Sequence, residues 1–450
     1  MSMNGCRKSK SRRGRVGLAV LFAVAMLAAC EPPTTPSGGG GGAGGDALRI
    51  GIVSFLTGPA AEPFGIPARD AANLLADRLN AGSVPEPLDE AGFGGQQLEL
   101  VVVDETGDPE SEVSQYRRLV LDEEVDIVVG YISSADCLAV APVAEELQKL
   151  TVLFDCGTHQ IFEESDHKYV FRTAGHQILD SVGAARYVNE IAPGAQTIAG
   201  INQNYAWGQD SWNAFKASMQ ELNSSVETGS AQFPEIFSGE YSAEISSLLS
   251  DKPDVIHSSF WGGDLEGLII QGVPRGLQDE SLLVLTTADT LLPRLGAELP
   301  PGIVVGARGP HGALAPDAEL NEWFTSIYTE RYGIRPVYPA YHMAQAFFGA
   351  KTAYELAMEQ NGGGEPSQDQ IIAAFEGIEF ETPSGTISMA LGGGHQAIEE
   401  VAYGTTGEFD EETGEVAIEN IQTFPAGCVN PPDGTKSMQW IQSGFEGTEC

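Results

Sequence analysis

From Ala47 onward, short β-branched and aliphatic runs alternate with amphipathic stretches. LRIGIVSF (48–55), QLELVVVDE (97–105), DIVVGYI (126–132) and LTVLFD (150–155) are apolar, short and bounded by turn residues, which predicts buried strands. Between them, 67–80 puts Ala71, Leu74, Leu75 and Leu79 on one helical face, and Asp108-Pro109 offers a capping acid with proline at the first helical position before a helix through Leu121. The pattern restarts after Tyr169-Val170-Phe171. Helices at 178–191, 208–222, 241–250 and 264–273 are expected to interleave with strands at 197–203, 226–233, 254–260, 282–287 and 302–308. Helices at 317–332, 339–359 and 367–376 follow, then strands around 378–390, 397–404 and 416–424. The stretch 405–415 and the tail after Pro425 read as irregular. Two consecutive βα sets imply an α/β protein of two Rossmann-like lobes, each a parallel sheet with helices on both faces.

The N-terminus follows different rules. Arg7, Lys8, Lys10, Arg12, Arg13 and Arg15 precede a nearly unbroken apolar run, Val16 to Ala29, too short to span a bilayer comfortably. Residues 1–29 therefore read as a secretory signal peptide, and Leu27-Ala28-Ala29-Cys30 resembles the bacterial lipoprotein box, in which the chain is cut before the cysteine and Cys30 is acylated. The proline- and glycine-rich stretch 30–46 suits a flexible tether. Ser11-Arg12-Arg13 leaves both general and twin-arginine export open.

Charge narrows the functions available. The chain has 24 basic and 63 acidic residues, and removing the six basic ones before Cys30 leaves a net charge near −45. Nucleic acid and anionic lipid surfaces repel such a chain, and the even spread of acids suits a solvated surface in a high-salt habitat. Of the remaining cysteines, Cys137 opens a helix after one strand and Cys156 closes the next, so a parallel sheet would bring them together as a disulfide. Cys428 with Cys450 follows only by exclusion, which leaves open that either is free.

Three stretches carry a family resemblance: IGIVSFLTGPAA (50–61), VVVDETGDPESEVSQYRRLVLDEEVDIVVGYISSADCLAVAPVAEE (101–146) and YVFRT (169–173). With YAWGQDSWNAFK and YPAYHMAQAFFGA they resemble, in order from about Leu48 to Gly404, the branched-chain amino-acid-binding family of solute receptors. That resemblance implies a type I periplasmic binding fold with three hinge crossings near 174, 309 and 382, closing two lobes over a small molecule for an ABC importer. The lobes would run 47–173 with 309–382, and 174–308 with 383–427, leaving 428–450 as a tail.

Ligands of open α/β sheets bind beyond the carboxyl ends of the strands, where helix amides point at the crevice. Ser133 and Ser134 end such a strand, and the resemblance implies that Ser134 and Thr158 hold a ligand α-carboxylate with main-chain atoms of Cys156. It also places Phe64, Trp207 and Trp261 against the ligand and Asp289 on its ammonium. Asp136 and Asp155 depart from the family pattern and disfavour a neighbouring carboxylate, which leaves a cationic or neutral amine, amide or urea-type solute as the rival. Arg308 and His311, near a crossing, could line the cleft, with a hinge role the favoured reading.

Enzymatic signatures are missing: the sequence has no GxSxG, HExxH, P-loop or CxxC, and the seven histidines show no i, i+4 pairing. The expectation is a non-enzymatic, monomeric binding protein without cofactor or metal, partnered by a permease. A receptor that feeds a membrane kinase or chemoreceptor is the alternative with the same cleft.

Overall fold

The computed structural model describes residues 47–448 and Cys450, so the signal peptide, Cys30 and the tether lie outside the described residues. Strands β1 to β5 (Leu48–Ser54, Leu98–Asp104, Ile127–Gly130, Thr151–Leu153, Val170–Arg172) build the first lobe. Strands β6 to β10 (Thr197–Ile201, Glu227–Gln232, Val255–Ser258, Leu282–Leu285, Val304–Gly306) build the second. The late strands are β11 to β13 (Glu379–Thr382, Gly385–Leu391, Gln396–Ile398) and β14 and β15 (Val401–Asp410, Glu415–Phe424). The first sheet has the order β11-β12-β13-β5-β4-β3-β1-β2 and the second β15-β14-β10-β9-β8-β6-β7. Both are parallel at their centres, where β3 and β8 are buried at every position, and both end in antiparallel strands. A continuous apolar run has no solvent face to offer, which is why helices cover both sides.

In the first lobe, helices Ile66–Asn80 and Tyr338–Gln360 pack Leu74, Leu75, Tyr341 and Phe347 on one face. Helices Pro109–Leu121 and Ser134–Leu147 bring Tyr116, Leu119 and Val140 to the other. In the second lobe, helices Gln177–Ile191 and Ala206–Leu222 contribute Ile178, Val182 and Phe215 to one core, while Ile245, Leu268 and Ile269 fill the opposite one.

Three segments and one helix cap differ from the sequence expectation. The strands between 379 and 398 stay in the first sheet, so the third crossing lies at Glu399–Glu400 rather than near 382. The reason is local: a tight turn, with Thr382 Oγ1 donating to the Gly385 carbonyl at 2.7 Å, folds β12 back antiparallel on β11. Residues 405–410 continue β14, and only a short turn separates them from β15, so the stretch expected to be irregular is mostly a hairpin. The tail likewise forms short helices, Ala426–Val429 and Ser437–Gln442, and buries Trp440 in the second lobe. Asp108 does not cap its helix backbone but accepts from Ser111 Oγ at 2.6 Å. Cys137 is bonded to Cys156 and Cys428 to Cys450. Among the described residues no helix is long and apolar enough to cross a membrane.

Candidate functional site

Two groups of residues meet between the lobes, and they differ in what they leave available to a ligand. The first is the corner where β3 and β4 end. After Gly130, Tyr131 takes a φ of 144° and turns the amides of Ile132 and Ser133 inward. Both amides donate to the buried carboxylate of Glu105, at 2.9 and 2.8 Å. Ser133 is the N-cap of helix Ser134–Leu147, accepting from the Asp136 amide at 3.4 Å. Ser134 Oγ accepts from the amides of Gly157 and Thr158, at 3.3 and 3.2 Å. The amides of Ile132, Ser133, Asp136, Gly157 and Thr158 at this corner are thus taken by the protein's own acceptors. Burial raises both Glu105 and the nearby Asp136, Asp136 to about 7, and Asp136 raises Glu105 further by like-charge repulsion.

The neighbouring loop is equally committed. Cys156 donates its amide to the Tyr131 carbonyl at 3.2 Å, and its carbonyl accepts from the buried Arg172 at 2.8 Å. Thr158 gives its carbonyl to the same guanidinium at 2.7 Å, while its hydroxyl crosses to the second lobe and donates to Asp210 at 2.9 Å. Gln160 Nε2 joins Asp210 at 3.0 Å.

The second group surrounds a narrow cleft with only about 10 Å³ of free volume, so the lobes must part for a solute to enter. Phe64, Tyr205, Trp207, Trp261 and Tyr338 form its walls, with Ile132 and Gly157 at the first-lobe corner. Phe64 packs edge-on against Trp261 at 5.3 Å and Tyr338 at 5.4 Å. The indole N–H groups are spent on the wall itself, Trp207 on the Ser259 carbonyl and Trp261 on the Tyr205 hydroxyl, each at 2.7 Å. Held this way, the rings present apolar surface to the cleft. Gly157 is required by this geometry, since a Cβ there would lie 2.1 Å from the Trp207 ring.

The polar part of the cleft comes from Arg308 and Asp155, which form an ion pair. Arg308 sits on the second crossing with a left-handed φ of 53°, strained for a residue with a side chain. Its guanidinium stacks 4.7 Å from the Trp207 ring and 5.8 Å from Tyr338. It also donates to the Asp155 carbonyl, to Asp180 at 3.3 Å and to the Gly175 carbonyl at 3.3 Å. Those contacts leave at most one of its five N–H groups for a ligand. Asp155 Oδ2 is buried without a hydrogen-bond partner. Desolvation pushes Asp180 up to about 7, even with Arg308 opposing it.

Of the residues singled out in the sequence, Phe64, Trp207 and Trp261 line the cleft, whereas Ser133, Ser134, Cys156, Thr158 and Asp289 do not. Asp289 accepts from the amides of Ala313 at 3.0 Å and Tyr338 at 2.8 Å, capping helix Tyr338–Gln360 and so fixing Tyr338. It borders a separate cavity beside Gly312, Arg335 and Val337, and burial raises its carboxyl to about 6. Arg308, favoured from the sequence as a hinge residue, lines the cleft, and Asp155 carries the salt bridge to it. Glu105, Tyr205 and Tyr338 were not singled out. The acidic pair Asp104-Glu105 at the end of an apolar strand was the available signal for Glu105.

Residues 47–407 match the family model described as periplasmic binding protein. A Leu/Ile/Val-binding protein homolog 6 of Brucella abortus is 22% identical over 351 residues, covering 76% of this chain and 84% of its own. Among solved structures, a solute-binding protein of an ABC transporter from Rhodopseudomonas palustris, in complex with 3,4-dihydroxybenzoic acid, aligns with a TM-score of 0.71 at 20% identity, over 85% of this chain and 98% of its own. A leucine-binding protein from Thermotoga maritima aligns with a TM-score of 0.67 at 19% identity, over 83% and 98%.

Proposed function

The chain belongs to the periplasmic binding protein family and is a solute-binding receptor of the ABC-transporter kind; from that premise we propose that it captures a small amino acid or related amphoteric solute in the aromatic cleft. Asp155 carries this reading. A carboxylate oxygen buried at the cleft without a partner calls for a ligand donor, and an ammonium supplies one. The remaining Arg308 N–H takes the ligand's carboxylate, and the rings of Phe64, Trp207, Trp261 and Tyr338 enclose its apolar body. Ligand contacts to both lobes favour the closed arrangement, which the permease recognises.

Family membership implies export. Acylation of Cys30 would hold the receptor at the outer face of the membrane, with 30–46 as its tether. The receptor acts as a monomer and performs no chemistry on its ligand.

The ring-lined walls favour a second reading, an aromatic carboxylate without an ammonium, in keeping with the benzoate derivative bound by the Rhodopseudomonas protein. Thermal shift separates the two, because a ligand bound only by the folded state raises the melting temperature. The first reading expects a shift with zwitterionic amino acids that Asp155→Asn removes. A shift with benzoates alone, indifferent to Asp155→Asn, overturns it in favour of the second. A shift with neither overturns both.

A further inference from the structure

Behind the cleft, the hinge places His311, His342 and Glu399 together, all three fully buried. One ligand atom from each lies within 4.8 Å of the others. We propose that this cluster is a binding site for a divalent cation of the zinc type, which ties the second and third lobe crossings to helix Tyr338–Gln360.

Donor geometry is the first argument. A zinc ion in a tetrahedral site takes histidine nitrogens and carboxylate oxygens at about 2.0 Å, which puts neighbouring ligand atoms roughly 3.3 Å apart. His311 Nε2 and Glu399 Oε2 are 3.4 Å apart, and His311 Nε2 has no hydrogen-bond partner. His342 makes the case sharper. Its Nδ1 lies 2.9 Å from Asp155 Oδ1 and its Nε2 lies 3.2 Å from the Arg308 carbonyl, so both ring nitrogens face acceptors. A neutral imidazole donates from one nitrogen only, leaving a lone pair opposed to an oxygen. A cation between His342 Nε2 and the Arg308 carbonyl converts that opposition into coordination and supplies a fourth ligand.

The supporting shell is the second argument. His311 Nδ1 pairs with Ser384 Oγ at 2.5 Å, His342 Nδ1 with Asp155, and Glu399 accepts from the Gly175 amide at 2.6 Å and from Gln345 Nε2 at 2.8 Å. Metal-ligating histidines characteristically donate their other ring N–H to a carboxylate or hydroxyl in this way.

Charge is the third. Asp155, Asp180 and Glu399 are buried beside Arg308, with the buried guanidinium of Arg172 also within Coulombic reach of it, a formal excess of one to two negative charges. One divalent cation offsets it. Protons on Asp180 and Glu399 are the competing way to balance the same charge.

The test uses protein unfolded in denaturant with chelator and refolded at pH 7.5 in excess Mg²⁺, with and without Zn²⁺ or Co²⁺, so that entry to a buried site and the acidic surface do not decide the result. The expected outcome is close to one tightly held zinc per chain and, for cobalt, the visible absorption of a tetrahedral centre. Both are lost in His311→Gln and in Glu399→Gln, and Ser384→Ala weakens zinc affinity by about 10-fold. Refolded wild-type protein without bound zinc overturns the proposal in favour of protonated carboxyls. So does zinc retained equally by both glutamine variants, which places it on the surface. Far-UV circular dichroism on each variant distinguishes lost coordination from lost folding.

Discussion

The β3–β4 corner and the crossing loop at Arg308 lie on either side of the same cleft, yet one has closed itself and the other remains partly open. At the corner, Glu105 takes two amides and Ser134 takes two more, so those four amides are occupied. At the crossing, Arg308 and Asp155 neutralise each other but leave an acceptor at the cleft unsatisfied. The difference shows that a protein's own buried carboxylate competes with a ligand anion for the same amides.

Removing the cation of the crossing should have the largest effect. Arg308→Ala strands Asp155 and Asp180 in a buried site and is expected to cost about 3–5 kcal/mol of stability, together with ligand binding. Denaturant unfolding and thermal shift read the two losses. Glu105→Ala attacks the other side by orphaning the amides of Ile132 and Ser133, at about 1–3 kcal/mol. Its ligand affinity should stay within about threefold, because Glu105 does not line the cleft. A tenfold gain for carboxylate ligands would instead reopen the corner as a binding site.

The acids at that corner also set a pH dependence. Asp136 titrates at about 7 in the folded state and near its ordinary value of 3.8 when unfolded, so the folded chain holds the extra proton between those values. Stability is therefore expected to fall as pH rises from 4 to 7, and to level off above 7 as far as Asp136 is concerned. Asp136→Asn should remove part of that slope, on the order of 2 kcal/mol, in urea titrations at pH 4, 5.5 and 7. An unchanged slope would assign it to surface repulsion alone. The smallest effect is expected at Asp289→Asn, which keeps one acceptor for the helix it caps. It should cost about 1 kcal/mol and leave the ligand-induced shift in place, whereas loss of that shift would return Asp289 to the binding machinery.

Much of the architecture is legible in the sequence because buried parallel strands leave continuous apolar runs, and 48–55, 126–132 and 254–260 show them plainly. The three aromatic positions are legible for a similar reason, each lying at or near a strand end or a helix start, where the family resemblance supplies the register. Where β11 to β13 pair was not readable, since a hairpin of alternating residues fits either sheet until the tertiary structure chooses one. The cleft's polar chemistry was decided the same way. Asp155, Asp180 and Arg308 are up to 153 residues apart, and so are the groups that pair with His311 and His342 far from them in the chain. The sequence by itself determined which segments form strands and helices and that the body is two α/β lobes, because periodicity and local turn chemistry act over a few residues, while the receptor reading came from the family resemblance. Only the tertiary structure decided which carboxylate meets which cation, because electrostatic partners are chosen by proximity in space and by burial, neither of which a one-dimensional pattern records.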